Sequence, residues 1–593
     1  MSEQKREESS PGADMPSIEL GPHFTMHPVV FPVAASIVIA LVVATLLIPG
    51  EDVGAFFGAV KDWIGTRFGW LYVATMTALL AFVAWLALSR LGSIKLGGDD
   101  EKPEFGVLSW FAMLFSAGMG IGLVFWAVAE PAYHYASPPP GVAQGLAPSR
   151  VSMAVTIFHW GLHPWALYAA VGLGLAYFGF RKKMPLSFRS FLYPIFGERV
   201  WGPLGDAVDV LAIVATLTGV ATSLGLGAQQ VNAGLGYLFG VQQGAGTQVM
   251  LIAIITAIAT VSVVLGLSAG IRRLSEVNLV LAFLLLITVV VGGGVVAFLA
   301  STVENTGAYL QLLPFNALRT GAGGGEGSTW LNGWTVFYWA WWISWSPFVG
   351  LFIARISRGR TIRQFVLGVV LVPTLVGIVW LSAFGGATLR QHTAHERLAT
   401  LAQADVRADV DADADALALP TFPVTVEGSD TVITRPLTTL EYVADPDVTV
   451  VTEDGSSNID TTSTALFVLL DSMFEAKWIA MLAAGVATLC IVLFFVTSSD
   501  SASMVIDIIA SGGNPDPPVG TRLFWAISEG VAAGVLLLSG GLLALQSASI
   551  AAALPFTLVL IVACFGLTKA LLAEPVARRV PGPISGRPGS KRL

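Results

Sequence analysis

Apolar runs of about 20 residues recur along this chain from Val29 to Ala573, and each is long enough to cross roughly 30 Å of hydrocarbon as a helix. No other feature restricts the fold so strongly. A backbone inside a bilayer must satisfy its own hydrogen bonds, which leaves helices or closed barrels, and runs this continuously apolar are helical. Composition agrees. Only 12% of the 593 residues are charged, against roughly a quarter in a soluble domain. The reading is one all-α membrane protein rather than several soluble domains. Window hydropathy gives about twelve transmembrane helices. They fall near 29–49, 69–89, 107–129, 151–179, 205–236, 247–268, 277–300, 332–353, 365–387, 476–509, 523–543 and 549–573. The first run follows a mildly acidic tail with no basic n-region and no small-residue cleavage site, so it is expected to be retained. Cys490 and Cys564 both lie in apolar spans and carry no redox or metal spacing.

Basic residues orient the spans. Arg181, Lys182, Lys183, Arg189 and Arg199 follow the fourth span, and Arg272 and Arg273 the sixth. Arg355, Arg358, Arg360 and Arg363 follow the eighth, and Arg578, Arg579, Arg587, Lys591 and Arg592 the last. The positive-inside rule makes these loops and both termini cytoplasmic. The opposite loops include an acidic segment at about 390–463, where β-branched stretches at 424–426, 432–434 and 448–451 predict a small strand-containing cap. The Asp-Ala stretch 405–417 equally fits disorder. Residues 301–331 hold an apolar stripe and a Gly-rich turn, read as an interfacial helix and loop.

Trp339, Trp341, Trp342 and Trp345 crowd into seven residues within the eighth span, ahead of Pro347 and Gly350. Trp in membrane proteins gathers at the water interfaces, so a cluster inside a span needs another reason. Indole faces hold cations that have no hydrogen to donate, quaternary ammonium groups above all. In the fourth span Trp165 and Tyr168 are i, i+3 neighbours, and on an ideal helix Trp160 lies about 80° from Tyr168. Such spacing also fits an aromatic core stripe. The segment Gly118-Met119-Gly120-Ile121-Gly122 admits two readings, close helix packing or an unwound stretch that lines a cavity. A second interruption expected at Ser346–Gly350 would pair the first helices of two five-helix halves, which favours the cavity. Thr218 and Thr222 share a helix face, and Thr497, Ser498, Ser499 and Ser501 cluster in the tenth span. Hydroxyls of this kind either ligate Na⁺ or satisfy nearby carbonyls.

Intramembrane carboxylates are functional candidates. Asp206, Asp209, Asp500, Asp507, Glu529 and Glu130 read mostly as gate or helix-end partners of cytoplasmic Arg, for example Arg355. His159 and His163 read as packing or hydrogen-bonding groups, because no carboxylate or Cys stands at ligand spacing. No carboxylate falls within the aromatic cluster. A zwitterion bringing its own carboxylate is therefore favoured, met by backbone N–H groups of the Gly-rich segment around Met119 and Gly120. No nucleophile–base pair appears, so an enzyme is not expected, and nothing points to nucleic acid.

These motifs resemble the betaine/carnitine/choline transporter family over nearly all spans. The resemblance implies a LeuT-like 5+5 inverted repeat preceded by two extra helices, assembled as a homotrimer. It divides the chain into a cytoplasmic tail (1–28), two peripheral helices (29–105), a first repeat (106–300) and the interfacial segment (301–331). A second repeat (332–573) carries the acidic insertion, and a short basic tail (574–593) follows. It implies an aromatic box of Trp160, Trp165, Tyr168 and Trp342, with Trp341 and Trp345 lining the pathway below. One implied Na⁺ site uses Ser116, Met119, Phe494, Thr497 and Ser498, and a second uses Thr218, Thr222 and Phe348. Proton-coupled choline members tend to carry Asp where Gly122 stands. Na⁺-independent exchangers use a cationic side chain in the fifth span, and 205–236 has none. The implied function is Na⁺-coupled uptake of a trimethylammonium osmolyte, glycine betaine first, across the plasma membrane for osmoprotection. Na⁺ serves as coupling ion and no cofactor is implied. The rivals are a proton-coupled choline or ectoine-type transporter of the same fold, or an osmolyte sensor that does not transport.

Overall fold

The computed structural model describes residues 11–575 apart from 13–14, 22–23, 49, 119, 143–144, 265–267, 404–418, 428–430, 453–454 and 456–458. The Asp-Ala stretch and the basic residues after 575 lie outside the described residues, as does the side chain of Arg272.

The chain is helical almost throughout. After a short β1–β2 ribbon (Ile18–Glu19 and Thr25–Met26) come α1 (Val30–Leu47), α2 (Gly50–Leu88), α3 (Val107–Gly118), α4 (Ile121–Ala136), α5 (Pro148–Trp160) and α6 (Leu162–Ala176). Then follow α7 (Arg189–Phe196), α8 (Pro203–Phe239), α9 (Ala245–Val264), α10 (Ser268–Gly292), α11 (Val295–Leu318), α12 (Gly325–Gly333), α13 (Thr335–Arg355) and α14 (Ile362–Gln403). The last part holds β3 (Thr421–Val426), β4 (Ile433–Pro436), α15 (Thr439–Ala444), β5 (Val448–Val450), α16 (Thr461–Met473), α17 (Lys477–Ala510) and α18 (Val519–Leu572). Among the described residues, nine helices are long and apolar enough to cross a membrane.

Burial separates inner helices from outer ones. The most apolar windows of α8 and of the α12–α13 run are 89% buried, those of α1 and α10 only 33% and 22%. A helix that is apolar all round and little buried faces lipid. The inner helix α8 packs on α13, α17 and α18, and α13 also packs on α6. At Gly219 of α8 a β-carbon would lie 3.1 Å from Ser344 and the Trp345 nitrogen. The missing side chain lets α8 and α13 approach backbone to backbone, the use membranes make of small residues.

Several boundaries differ from the hydropathy reading. The helix containing the second span starts at Gly50, because the amphipathic stretch before it is helical too. The seventh span ends at Gly292, where Gly294 (φ 87°) breaks the chain before α11. At 54 residues α18 would run about 80 Å if straight, so it must bend. It does so at Gly540 and at Gly541 (φ 59°), short of the expected turn at 544–548. The expected break at Ser346–Gly350 is absent, and α13 runs unbroken past Pro347. Proline lacks the N–H that would bond the Ile343 carbonyl. Ser346 Oγ donates to that carbonyl instead, at 2.8 Å.

The N-terminal segment and the basic loops after the fourth and eighth spans are tied in with neighbouring loops. His27 N donates to the Ala510 carbonyl (2.9 Å), Gly359 N to the Leu96 carbonyl (2.7 Å), and Arg181 bonds both Asp99 and Glu574. Burial opposes the Glu574 charge, but hydrogen bonds from Arg181, Lys182 and Tyr177 outweigh it and hold that carboxyl down at about 2. Elsewhere Trp330 Nε1 donates to the Ser137 carbonyl, Arg390 to Ser301, and Tyr237 to Asp471. The acidic segment contains the expected strands, an antiparallel sheet in the order β4-β3-β5. Thr438 and Glu441 form a capping box on α15. The cap meets α4 through Tyr133 and Thr462, whose hydroxyls lie 2.8 Å apart.

Candidate functional site

Two interrupted helices border the site. The helix α3 ends at Gly118, and α4 begins after Gly120, whose backbone is extended (φ −138°, ψ 175°). Met119 lies outside the described residues, as does the side chain of Ser116. Gly161 (φ −96°, ψ −132°) separates α5 from α6. Pro164 cannot donate to the Trp160 carbonyl, which weakens the ladder at that step. The Leu162 N–H finds the Tyr309 hydroxyl of α11 at 3.0 Å. The helix α11 thus supports the break.

A cavity of about 560 Å³, open solvent at its mouth included, lies between these breaks and α13. Trp160, Trp165, Tyr168, Trp341, Trp342 and Trp345 line it together with Gly120 and Gly122. Trp342 meets Trp160 edge to face at 4.9 Å and Tyr168 at 6.5 Å, and it stacks on Trp341 at 4.6 Å. Trp165 meets Tyr168 at 5.4 Å and 76°. The six aromatic residues assigned to the substrate site in the sequence therefore line one space, whereas Phe348 and Phe494, assigned to Na⁺, are not among its lining residues. Nor does the fourth tryptophan of the cluster line it: Trp339 stacks on His163 at 5.5 Å. Trp160 arrives by another route than the helical wheel, because Gly161 breaks the helix between it and Tyr168.

The chemistry of this space is narrow. No Asp, Glu, Lys or Arg is among the described residues lining it. Aromatic ring faces attract a cation that needs no hydrogen-bond acceptor. Tyr168 Oη and Trp345 Nε1 are buried with no hydrogen-bond partner among the described residues. They are donors available to an anionic group, in addition to the backbone N–H groups expected near Gly120. A β-carbon on Gly122 would lie 2.6 Å from Trp341 Cη2 and 3.0 Å from Trp160 Cη2, so only glycine leaves the rings in place.

Behind Trp160 stands a cluster missed in the sequence. Glu130 is fully buried and has no cytoplasmic Arg partner among its hydrogen bonds. Its Oε2 accepts from Trp160 Nε1 (2.8 Å) and Tyr338 Oη (2.6 Å). Its Oε1 accepts from His159 Nδ1 (2.7 Å) and His134 Nε2 (3.2 Å). A carboxylate does accompany His159 after all, brought from α4 by tertiary packing, and ligand atoms of Glu130, His134 and His159 lie within 4.8 Å of one another. His159 is hydrogen-bonded and His163 packed, as expected. Intramembrane position was the one signal that could have singled out Glu130.

The other carboxylates divide. Asp500 pairs with Arg522 at 2.6 Å rather than with Arg355, and Arg189 pairs with Asp206 and Asp209. Glu529 and Asp507 instead accept hydroxyl hydrogen bonds, from Ser499 and Thr521.

The hydroxyl residues form two groups. Thr222 Oγ1 donates to the Leu545 carbonyl at 2.9 Å and lies 2.8 Å from Ser549 Oγ, which donates to the Thr218 carbonyl. Ser344 Oγ donates to the Ser549 carbonyl. Thr218, Thr222 and two serines unmarked in the sequence thus join α8, α13 and α18 in one oxygen-rich contact. Phe348 packs on Trp345 at 5.3 Å. Thr497 Oγ1 donates to the Leu493 and Phe494 carbonyls of its own helix, with Ser498 next along α17.

A sequence model described as "BCCT, betaine/carnitine/choline family transporter" matches residues 29–427 and 446–576. A glycine betaine transporter of Acinetobacter baylyi is 41% identical over 562 residues, covering 94% of this chain and 75% of that protein. A glycine betaine/proline/choline/ectoine transporter of Vibrio parahaemolyticus is 40% identical over 567 residues, 94% and 89% of the two chains. A glycine betaine transporter of Bacillus subtilis is 40% identical over 544 residues, 91% and 94%.

Proposed function

Because the chain belongs to the betaine/carnitine/choline transporter family, a family of multi-pass membrane transporters, we propose that its cargo is a trimethylammonium zwitterion, glycine betaine foremost. One observation carries this reading: rings from α5, α6 and α13 converge on a space lined by no charged side chain among the described residues. An onium group gains from ring faces, roughly 0.5–2 kcal/mol each once desolvated. A solute with its own carboxylate keeps the site neutral and uses the donors of Tyr168 and Trp345. The relatives named for glycine betaine support the same cargo.

Uptake is driven by Na⁺ and proceeds by alternating access. Residues 106–300 and 332–573 act as two five-helix halves of an inverted repeat, and the trimer sits in the plasma membrane with both termini cytoplasmic. Na⁺ beside Thr497 and Ser498 holds the interrupted α3–α4 segment against α17. A second Na⁺ uses the oxygens of Thr218 and Thr222 near Phe348. Each ion favours the state in which the ring cage is assembled, and coupling is the difference in affinity between the two facing states.

The test is uptake of radiolabelled glycine betaine into proteoliposomes. An inward Na⁺ gradient should drive accumulation, and counterflow should exchange labelled for unlabelled solute. Equal uptake in Na⁺-free buffer under a proton gradient would move the assignment to the proton-coupled rival. Binding without counterflow would make the protein a sensor.

A further inference from the structure

Glu130 does not line the cavity, yet its hydrogen bonds lead to two of the five tryptophans that do, to Trp160 directly and to Trp342 through His159. Its Oε2 accepts the Trp160 indole N–H at 2.8 Å. Its Oε1 accepts from His159, and the carbonyl of that same residue accepts the Trp342 indole N–H at 2.9 Å. The His159 ring lies flat on Tyr338 (4.6 Å, 19°) and also reaches Thr335 Oγ1 at 3.0 Å. Tyr338 donates to Oε2 beside Trp160. Trp160 and Trp342, edge to face at 4.9 Å, therefore hang from one carboxylate, the first directly and the second through His159.

A carboxylate buried in a membrane bundle is costly and persists only when its oxygens are satisfied. Four donors from α4, α5 and α13 satisfy Glu130, which is more than capping its own helix end would require.

We propose that Glu130 is a positioning residue for onium recognition: it fixes the ring planes of Trp160 and, through His159, of Trp342, so that both faces meet the same trimethylammonium group. This rests on the betaine reading above. An ionised carboxylate can only accept, and the four groups around it donate. Glu130→Gln keeps the shape but turns an NH₂ either toward Trp160 and Tyr338, displacing that indole, or toward His159 and His134, whose ring nitrogens must change tautomer to accept it. Either way charge-assisted bonds become weaker neutral ones and the hold on the rings loosens. Attraction to a ring depends on the cation lying over the face. The loss should therefore fall on affinity and on discrimination by methyl count.

The experiment compares wild type, Glu130→Gln and Tyr338→Phe in proteoliposomes, by betaine uptake and by betaine-dependent tryptophan fluorescence. Glu130→Gln should raise KM and Kd about tenfold, equivalent to about 1.4 kcal/mol. Vmax per folded protein should fall less, and the preference for betaine over dimethylglycine should narrow. Tyr338→Phe, which removes one donor from the oxygen that holds Trp160, should shift the same quantities in the same direction by less. Wild-type KM and preference in both variants would overturn the proposal. So would lowered Vmax at unchanged KM, the mark of a merely structural role. Should Glu130→Gln fail to fold, Tyr338→Phe decides. A wild type that neither binds nor carries betaine would instead sink the cargo assignment, a result distinct from a working wild type matched by its variants.

Discussion

Replacing Trp342 by Leu removes the ring at the centre of the proposed cage. Trp342 is 4% exposed and touches Trp160, Tyr168, Trp341 and Trp345. Loss of one cation–π face is worth roughly 0.5–2 kcal/mol, or about 2- to 30-fold in affinity. A second loss comes from the Nε1 bond to the His159 carbonyl, which Leu leaves unpaired in a buried place. That costs about 1–3 kcal/mol, shared between stability and cage geometry. The sum predicts betaine KM raised at least about tenfold, with the smaller part of the damage in yield of folded protein. The assay is initial-rate uptake in proteoliposomes, normalised to monodisperse protein by size exclusion. Trp342→Phe keeps a ring but loses the N–H, and should fall between the two. Saturable uptake by Trp342→Leu with KM within about twofold of wild type would refute the reasoning, because no ring energy in that range could then be at stake.

Gly122→Ala places a methyl 2.6 Å from Trp341 and forces the rings apart, so betaine titrated against tryptophan fluorescence should bind at least several-fold more weakly, overpacking costing about 1–3 kcal/mol. Unchanged binding would show that the wall is loose. Thr222→Ala deletes the hydroxyl that bridges α8 to Leu545 and Ser549. It should raise the Na⁺ concentration for half-maximal uptake several-fold while betaine KM at saturating Na⁺ stays near wild type, as measured by uptake against a Na⁺ series. Glu574 has its carboxyl lowered to about 2 from an ordinary 4.5. A depressed carboxyl stabilises the fold above its unfolded value and loses that stabilisation as pH falls toward its folded one. The thermal-melting gap between wild type and Glu574→Gln should therefore be full near neutrality and close between about pH 4.5 and 2. A pH-independent gap would rule out the charge as its source.

How much of this was legible depends on the range of the interaction. Trp341, Trp342 and Trp345 were legible because they crowd together inside one span, away from the interfaces where tryptophan usually gathers. The Gly-rich interruption was visible because glycine disfavours helix interiors wherever it sits. The break at Gly161 was not foreseen, since Tyr309, about 150 residues on, supplies the hydroxyl that supports it. The continuity of α13 was misjudged because Pro347 reads as a breaker until the Ser346 hydroxyl is seen on the Ile343 carbonyl. Glu130 looked like a helix-end residue, because His159, Trp160 and Tyr338 reach it only through packing. The oxygen cluster was half visible: Thr218 and Thr222 share a face by spacing, whereas Ser344 and Ser549 come from other helices.

The central claim is that ring faces hold a positive charge, and one competition measurement isolates it. The carbon isostere of glycine betaine, 3,3-dimethylbutanoate, keeps the shape and the carboxylate but replaces the cationic nitrogen with carbon. Several rings at roughly 0.5–2 kcal/mol each predict that it competes for radiolabelled betaine uptake at least about tenfold more weakly. Equal competition by the two solutes would contradict the account and leave the cavity recognising shape alone.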